Sequence, residues 1–228
     1  MARPRSRKST VSLLFPRPLT LTLAPTDGAG GGEPWAAAVQ KVAGADLPRA
    51  RLTLVLANHF VRYAVVPWSD ALSGQAEEEA YLRHHFVRIY GERAKAWSFR
   101  ASPAPGDAPR LCTAIETALL VALRSAFAKK RAKLVSVQPG LMWLFNRARR
   151  SVPASGAWIV RADADRVCVA LYAARRWQAV QNTRGEWLAV LERERHRIGG
   201  ALPDLVLLDS AAPVANDAPG WRLERLAA

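Results

Sequence analysis

Residues 51–68 read RLTLVLANHFVRYAVVPW. Leu52, Leu54 and Leu56 alternate with Thr53, Val55 and Ala57, and Val61, Tyr63 and Val65 resume the alternation after Asn58-His59. Period-two spacing of this kind predicts a strand, a tight turn at Asn58-His59 and a second strand, largely buried on both faces. Pro67 ends the ladder because it has no backbone donor. The remaining elements are expected to pack around this hairpin.

Outward from it, Leu19, Leu21 and Leu23 alternate with Thr20, Thr22 and Ala24, which predicts a strand with one buried face. Val11–Phe15 predicts another short strand, and residues 1–10 a flexible basic arm. Asp27–Gly32 (DGAGGG) has neither glycine spacing that cradles phosphate, so a loop is expected. Trp35–Val42 follows Pro34 as a short helix. A helix capped by Ser69 or Ser73 carries Glu77, Glu78 and Glu79 in its early turns and stops at Gly91. His84 and His85 point about 100° apart on that helix and make a poor chelating pair.

Ala96–Ala101 and Arg110–Ala114 predict a hairpin, Thr117–Lys129 an amphipathic helix, Leu134–Val137 a short buried strand, and Gly140–Arg149 a helix. Ser151–Gly156 is a linker. Strands follow at Ala157–Arg161, Arg166–Leu171 and Trp177–Gln181, the first two joined by the turn Ala162–Asp165. Glu186–Ile198 is a helix closed by Gly199-Gly200, Leu205–Leu208 a wholly apolar strand, and Trp221–Leu226 a last edge strand.

The 228 residues are half hydrophobic, which excludes global disorder, and carry a formal net charge of +14. Such a balance favours anionic partners: nucleic acid, an anionic membrane surface or an acidic protein. Cys112 and Cys168 lie in apolar runs with no metal-ligand spacing and are expected as buried thiols. No apolar run approaches the roughly 20 residues of a membrane span, and Val11–Phe15 is too short for a signal-peptide core. A soluble cytoplasmic protein is expected.

This order of elements resembles an α/β, actin-like fold: two RNase H-like subdomains, each a mixed five-stranded sheet flanked by helices, with a small inserted helix-hairpin subdomain. The resemblance is carried by residues 52–68, by EEEAYLRHHFVRIYG, by the unit LCTAIETALLVALRSAFAKKRAKLVSVQPGLMWLFNRARR, and by WIVRADADRVCVALYAARRWQAV. It is nearest to the branch containing the type IV pilus protein PilM and the cytoplasmic domain of the type II secretion protein GspL. It covers about Arg51 to Leu208. The expected division is residues 11–150 as the first half, with the insertion at about 69–115, and residues 151–228 as a minimal second half.

Actin-like ATPases hold nucleotide phosphates between two Asp/Gly-containing hairpins, so that backbone donors approach the phosphates and an acid places Mg²⁺. The first hairpin falls near Phe15–Thr20, which has neither acid nor glycine. The second falls near Ala162–Arg166, where Asp163 and Asp165 are present but glycine is not. The glycine-rich adenosine site falls at Asp209-Ser210-Ala211-Ala212. The resemblance with these departures implies a degenerate ATPase with no cofactor and no catalytic residue. A two-metal nuclease needs more carboxylates than Asp163 and Asp165, which a solvated turn explains. The four histidines, His59, His84, His85 and His196, lie in no triad motif.

By resemblance, the expected function is a non-catalytic adaptor beneath the inner membrane. It would bind the cytoplasmic tail of a bitopic inner-membrane pilus or secretion protein and couple it to the assembly ATPase. An anionic inner leaflet is a further expected contact, and a homodimer is compatible with it. GspL continues into a membrane helix whereas this chain ends first, so a separate membrane partner is expected. The partner tail is placed against Asn58, Arg62, Gln138, Asn146 and Arg147. Two alternatives are nucleic-acid binding, through Arg147, Arg149, Arg150 and the arm, and an actin-like ATPase that retains ATP. No groove-reading motif is present, so nucleic acid is disfavoured.

Overall fold

The structure, a computed structural model, describes residues 16–26, 33–72, 74–210 and 218–226. The basic arm, the strand expected at 11–15, the loop 27–32, Ser73, Ala211 and Ala212 lie outside the described residues.

Three sheets organise the chain. In the N-terminal sheet, β2 (Ala50–Leu56) is central, paired in parallel with β1 (Arg17–Leu23) on one side and β6 (Lys133–Pro139) on the other. Leu52, Leu54 and Leu56 have no exposed surface; two residues apart, they share the face of β2 that is turned to the core. Helix α1 (Ala36–Gly44) makes the crossover from β1 to β2.

The hairpin expected at 51–68 does not form. Asn58–Phe60 make a 3₁₀ turn, and β3 (Arg62–Val66) pairs antiparallel with β5 (Arg110–Glu116), not with β2. Both edges of β2 are taken by parallel neighbours, so the chain must leave that sheet. β5 also pairs with β4 (Trp97–Ala101), which confirms that hairpin. Alternation sorts this second sheet. Ala64, Val66, Phe99, Cys112 and Ala114 pack with Leu82 and Phe86 of α2 (Gln75–Tyr90). Tyr63, Leu111 and Ile115 face the main core with Leu119 and Leu123 of α3 (Thr117–Phe127). Helix α2 is preceded by Gly74 with no side-chain cap, in place of the expected serine; Ser69 Oγ instead accepts the Ala71 N–H at 3.2 Å. It ends at Gly91, where φ is +76°.

The C-terminal sheet has the order β11-β10-β7-β8-β9. Its strands are β7 (Ala157–Ala162), β8 (Arg166–Ala173), β9 (Arg176–Arg184), β10 (Leu205–Ser210) and β11 (Arg222–Arg225). β7, β8 and β9 form an antiparallel meander, and β10 and β11 continue in parallel. That is the expected RNase H-like mixed sheet. The N-terminal sheet differs: among the described residues it has three strands, all parallel. Helix α4 (Gly140–Ala148) lies on one face of the C-terminal sheet and α5 (Trp187–Ile198) on the other.

Among the described residues no sheet contains strands from both sides of residues 151–156. The hydrophobic core does not divide there: Leu52 and Leu54 of β2, Leu141 of α4, and Ile159 and Leu207 of the C-terminal sheet share one cluster. We keep two halves with an insertion as a proposal about how the chain is partitioned.

The β8–β9 connection has two residues, Ala174 and Arg175, with φ of +50° and +60°. Positive φ at both central residues is the type I′ pattern, which favours Asn-Gly. An L residue with a Cβ is strained there. Replacing Ala174 by Asn and Arg175 by Gly should raise stability by about 1 kcal/mol, measured as a higher urea midpoint at unchanged slope.

Candidate functional site

A polar cluster ties the turn after β2 to the C-terminal sheet. Arg161 sits in β7 with only 7% of its surface exposed. A buried guanidinium needs compensating charge. It has two partners: Nε donates to Asp163 Oδ1 at 3.3 Å, and Nη1 donates to Asp209 Oδ2 at 2.9 Å. Asp209 is the register partner of Arg161 on β10. Burial pushes the Asp209 carboxyl up from its ordinary range, an effect opposed by Arg161.

The other side of the cluster comes from the turn after β2. The Asn58 N–H donates to Asp163 Oδ2 at 2.7 Å, and Asn58 Nδ2 donates to the Arg161 carbonyl at 3.1 Å. Asn182 Nδ2 of β9 donates to the carbonyls of Asn58 and Val61. His59 Nε2 bonds Asp165, and this hydrogen bond lowers the Asp165 carboxyl below its ordinary value. Gly140 opens α4 against Arg161: a Cβ there would lie 2.7 Å from Arg161 Nε and 2.9 Å from the Leu56 carbonyl.

Three expectations change here. Asp163 is not a solvated turn residue, since both its oxygens are bonded and its side chain is 14% exposed; Asp165, at 52%, is the solvated one. Asn58 is fully buried, so its side chain cannot meet a partner docked on the surface. Arg62 is half-buried and donates to the His59 and Val61 carbonyls, and burial lowers its pKa. Gln138 donates to Ser136 Oγ at 3.1 Å at the end of β6. Asn146 and Arg147 are exposed on α4, with Arg147 4.5 Å over the Trp143 ring.

The five residues are therefore not one surface. Arg62 lines a cavity of about 200 Å³ with Trp35, Trp97 and Glu116, whereas Asn146 lines a different recess. The residues missed were Arg161 and Asp209. A signal existed: an arginine inside WIVRA and an aspartate closing LVLLD are charges in apolar strands, which require partners.

A groove of about 550 Å³ runs between the second sheet and β6. β6 was expected to be buried, but it is a sheet edge, and Val135 on it is 50% exposed. The opposite wall carries Ser98 and Thr113, and Arg100, Arg124 and Lys133 add positive charge. An open edge beside an apolar floor is the geometry that accepts an added strand.

The likeness to solved structures identifies the fold as actin-like. The cytoplasmic domain of EpsL, an inner-membrane component of the type II secretion system of Vibrio cholerae, superimposes with a TM-score of 0.58 at 13% identity, covering 92% of this chain and 88% of that one. The PilM–PilN type IV pilus biogenesis complex gives a TM-score of 0.53 at 15% identity over 77% and 68%. A Bacteroides thetaiotaomicron protein with an actin-like ATPase fold gives 0.50 at 9% over 79% and 68%. The fold is thus of the PilM/GspL-like, actin-like kind. The sequence matches no protein-family model and no curated protein. No helix among the described residues is long and apolar enough to cross a membrane.

Proposed function

We propose that the chain is a non-catalytic cytoplasmic adaptor of a type IV pilus or type II secretion-like assembly. It sits at the inner face of the inner membrane, binds the cytoplasmic tail of an inner-membrane partner, and couples that tail to the assembly ATPase. The observation that carries this reading is the Arg161 cluster. In the actin-like plan, phosphates lie against the second hairpin, here Ala162–Arg166, and the adenosine element follows β10. In this chain Arg161 bonds Asp163 of the first element and Asp209 of the second. Both Asp163 oxygens accept hydrogen bonds, from the Asn58 N–H and from Arg161 Nε, and these would compete with Mg²⁺ for that carboxylate. The likeness to EpsL and to PilM–PilN supports the assembly role.

The tail is placed in the groove beside β6, where backbone pairing gives affinity and the exposed Val135 gives a side-chain contact. Two measurements test the reading. Calorimetry with ATP and Mg²⁺ should show no binding; saturable micromolar binding would restore the ATPase alternative. Pull-down of a bitopic inner-membrane protein of the PilN kind from the same organism should fall about tenfold for Val135→Glu, with an almost unchanged melting temperature. Arg147→Glu tests the second part of the originally expected surface in the same way. Arg62→Glu is unsuitable, because losing its two backbone hydrogen bonds lowers stability. Undiminished recruitment by both variants places the tail elsewhere.

A further inference from the structure

A second recess, of about 810 Å³, lies where the α4 end, the linker and the β8–β9 hairpin meet. Its rim carries Arg149, Arg150, Arg175 and Arg176, and among the described residues no aspartate or glutamate lines it. All four arginines are exposed, and among the described residues none forms an ion pair. By contrast, Arg83, Arg110, Arg161, Arg184 and Arg197 are each paired with an acid. The floor is an aromatic cluster: Phe145 lies 4.7 Å from Tyr172 and 4.6 Å from Trp177, ring centre to ring centre.

The hairpin tip adds an independent observation. Ala174 and Arg175 both occupy the left-handed region, a strain that Asn-Gly would relieve. Arg175 of that turn and the adjacent Arg176 line the same recess as Arg149 and Arg150. Strained turns of this kind persist where the surroundings use the geometry.

We propose that this recess binds an acidic segment of a partner protein, one that carries an apolar or aromatic anchor between its carboxylates. Guanidinium forks match carboxylates in bidentate pairs, and the aromatic floor takes the anchor. A nucleic-acid strand or an anionic bilayer would also satisfy the arginines, but Phe145, Tyr172 and Trp177 pack against one another at 55–68° with Trp177 only 4% exposed, which is not a row of open parallel faces for stacked bases, and a flat headgroup layer does not enter a recess. This surface is separate from the β6 groove and does not depend on the tail reading.

The test is selection of a displayed library of random linear peptides on the full chain, with R175E/R176E as counter-selection. Enriched peptides should carry at least two acidic residues flanking an aromatic or aliphatic one. As synthetic peptides they should bind wild type about tenfold or more tighter than R175E/R176E and, independently, than R149Q/R150Q. Replacing their acids by amides should cost a similar factor. Both variants should keep the wild-type melting temperature, since the altered residues are exposed. The proposal is overturned if no enriched peptide depends on the four arginines. It is equally overturned if mixed-sequence single-stranded DNA or phosphatidylglycerol vesicles bind through these arginines while the peptides do not.

Discussion

Arg161→Met is expected to lower unfolding free energy by about 3–5 kcal/mol, the range for removing one partner from a buried charge cluster. Methionine keeps much of the volume, so the effect isolates the charge. The loss leaves Asp163 and Asp209 facing one another with their side chains only 14% exposed. Adding Asp209→Asn to Arg161→Met should recover part of the deficit, since it removes one uncompensated carboxylate. The pH dependence has a definite sign. Burial already raises Asp209 in the folded state, and Arg161 works against that rise. A carboxyl whose folded pKa lies above its unfolded value costs stability at high pH, and the cost disappears as pH falls through the folded value. Without Arg161 the pKa rises further, so the deficit of Arg161→Met is largest near neutrality and shrinks on acidification. Urea midpoints across that range measure it. A deficit under about 1 kcal/mol at neutral pH would mean that the guanidinium does not neutralise this pair.

Gly156→Ala should cost about 2–4 kcal/mol. Gly156 has φ of +98°, and its N–H closes a turn onto the Pro153 carbonyl at 2.9 Å. A Cβ there would lie 2.5 Å from the Tyr172 carbonyl oxygen and 2.7 Å from Ala173 Cα, both backbone atoms of β8. Neither can swing aside as a side-chain tip would, so the linker or the end of β8 must move. Gly199→Ala is the control. Its φ is +70°, but nothing lies within 4 Å of its added Cβ, so it should cost only about 1 kcal/mol. Equal melting temperatures for the two variants would show that the linker yields freely.

Much of the fold follows from patterns local to the chain. Leu19, Leu21 and Leu23 report a strand because side chains two apart share a face. The helix at 117–127 follows from amphipathic spacing, those at 36–44 and 187–198 from the Pro34 start signal and the Gly199-Gly200 stop, and Gly91 and Gly199 stop helices because only glycine enters those φ values cheaply. The charge excess and the order of elements also come from the chain alone, and with them the resemblance to the actin-like fold. Partners do not. Alternation in Leu52–Leu56 and Tyr63–Val65 is the same whether these strands pair with each other or with β1, β6 and β5, because a ladder's hydrogen bonds are made by backbone common to every residue. The choice among partners depends on packing between residues far apart in the chain, such as Leu52 and Leu54 with Leu111, Leu141 and Leu207 in one core. Asn58 shows the same limit at one residue. Asparagine at a strand end favours a turn, whether its amide meets water or, as here, the Arg161 carbonyl 103 positions away. Burial of Arg161 and Asp163 beside Asp209 and Asn58 likewise depends on three segments meeting, and long-range packing brings them together.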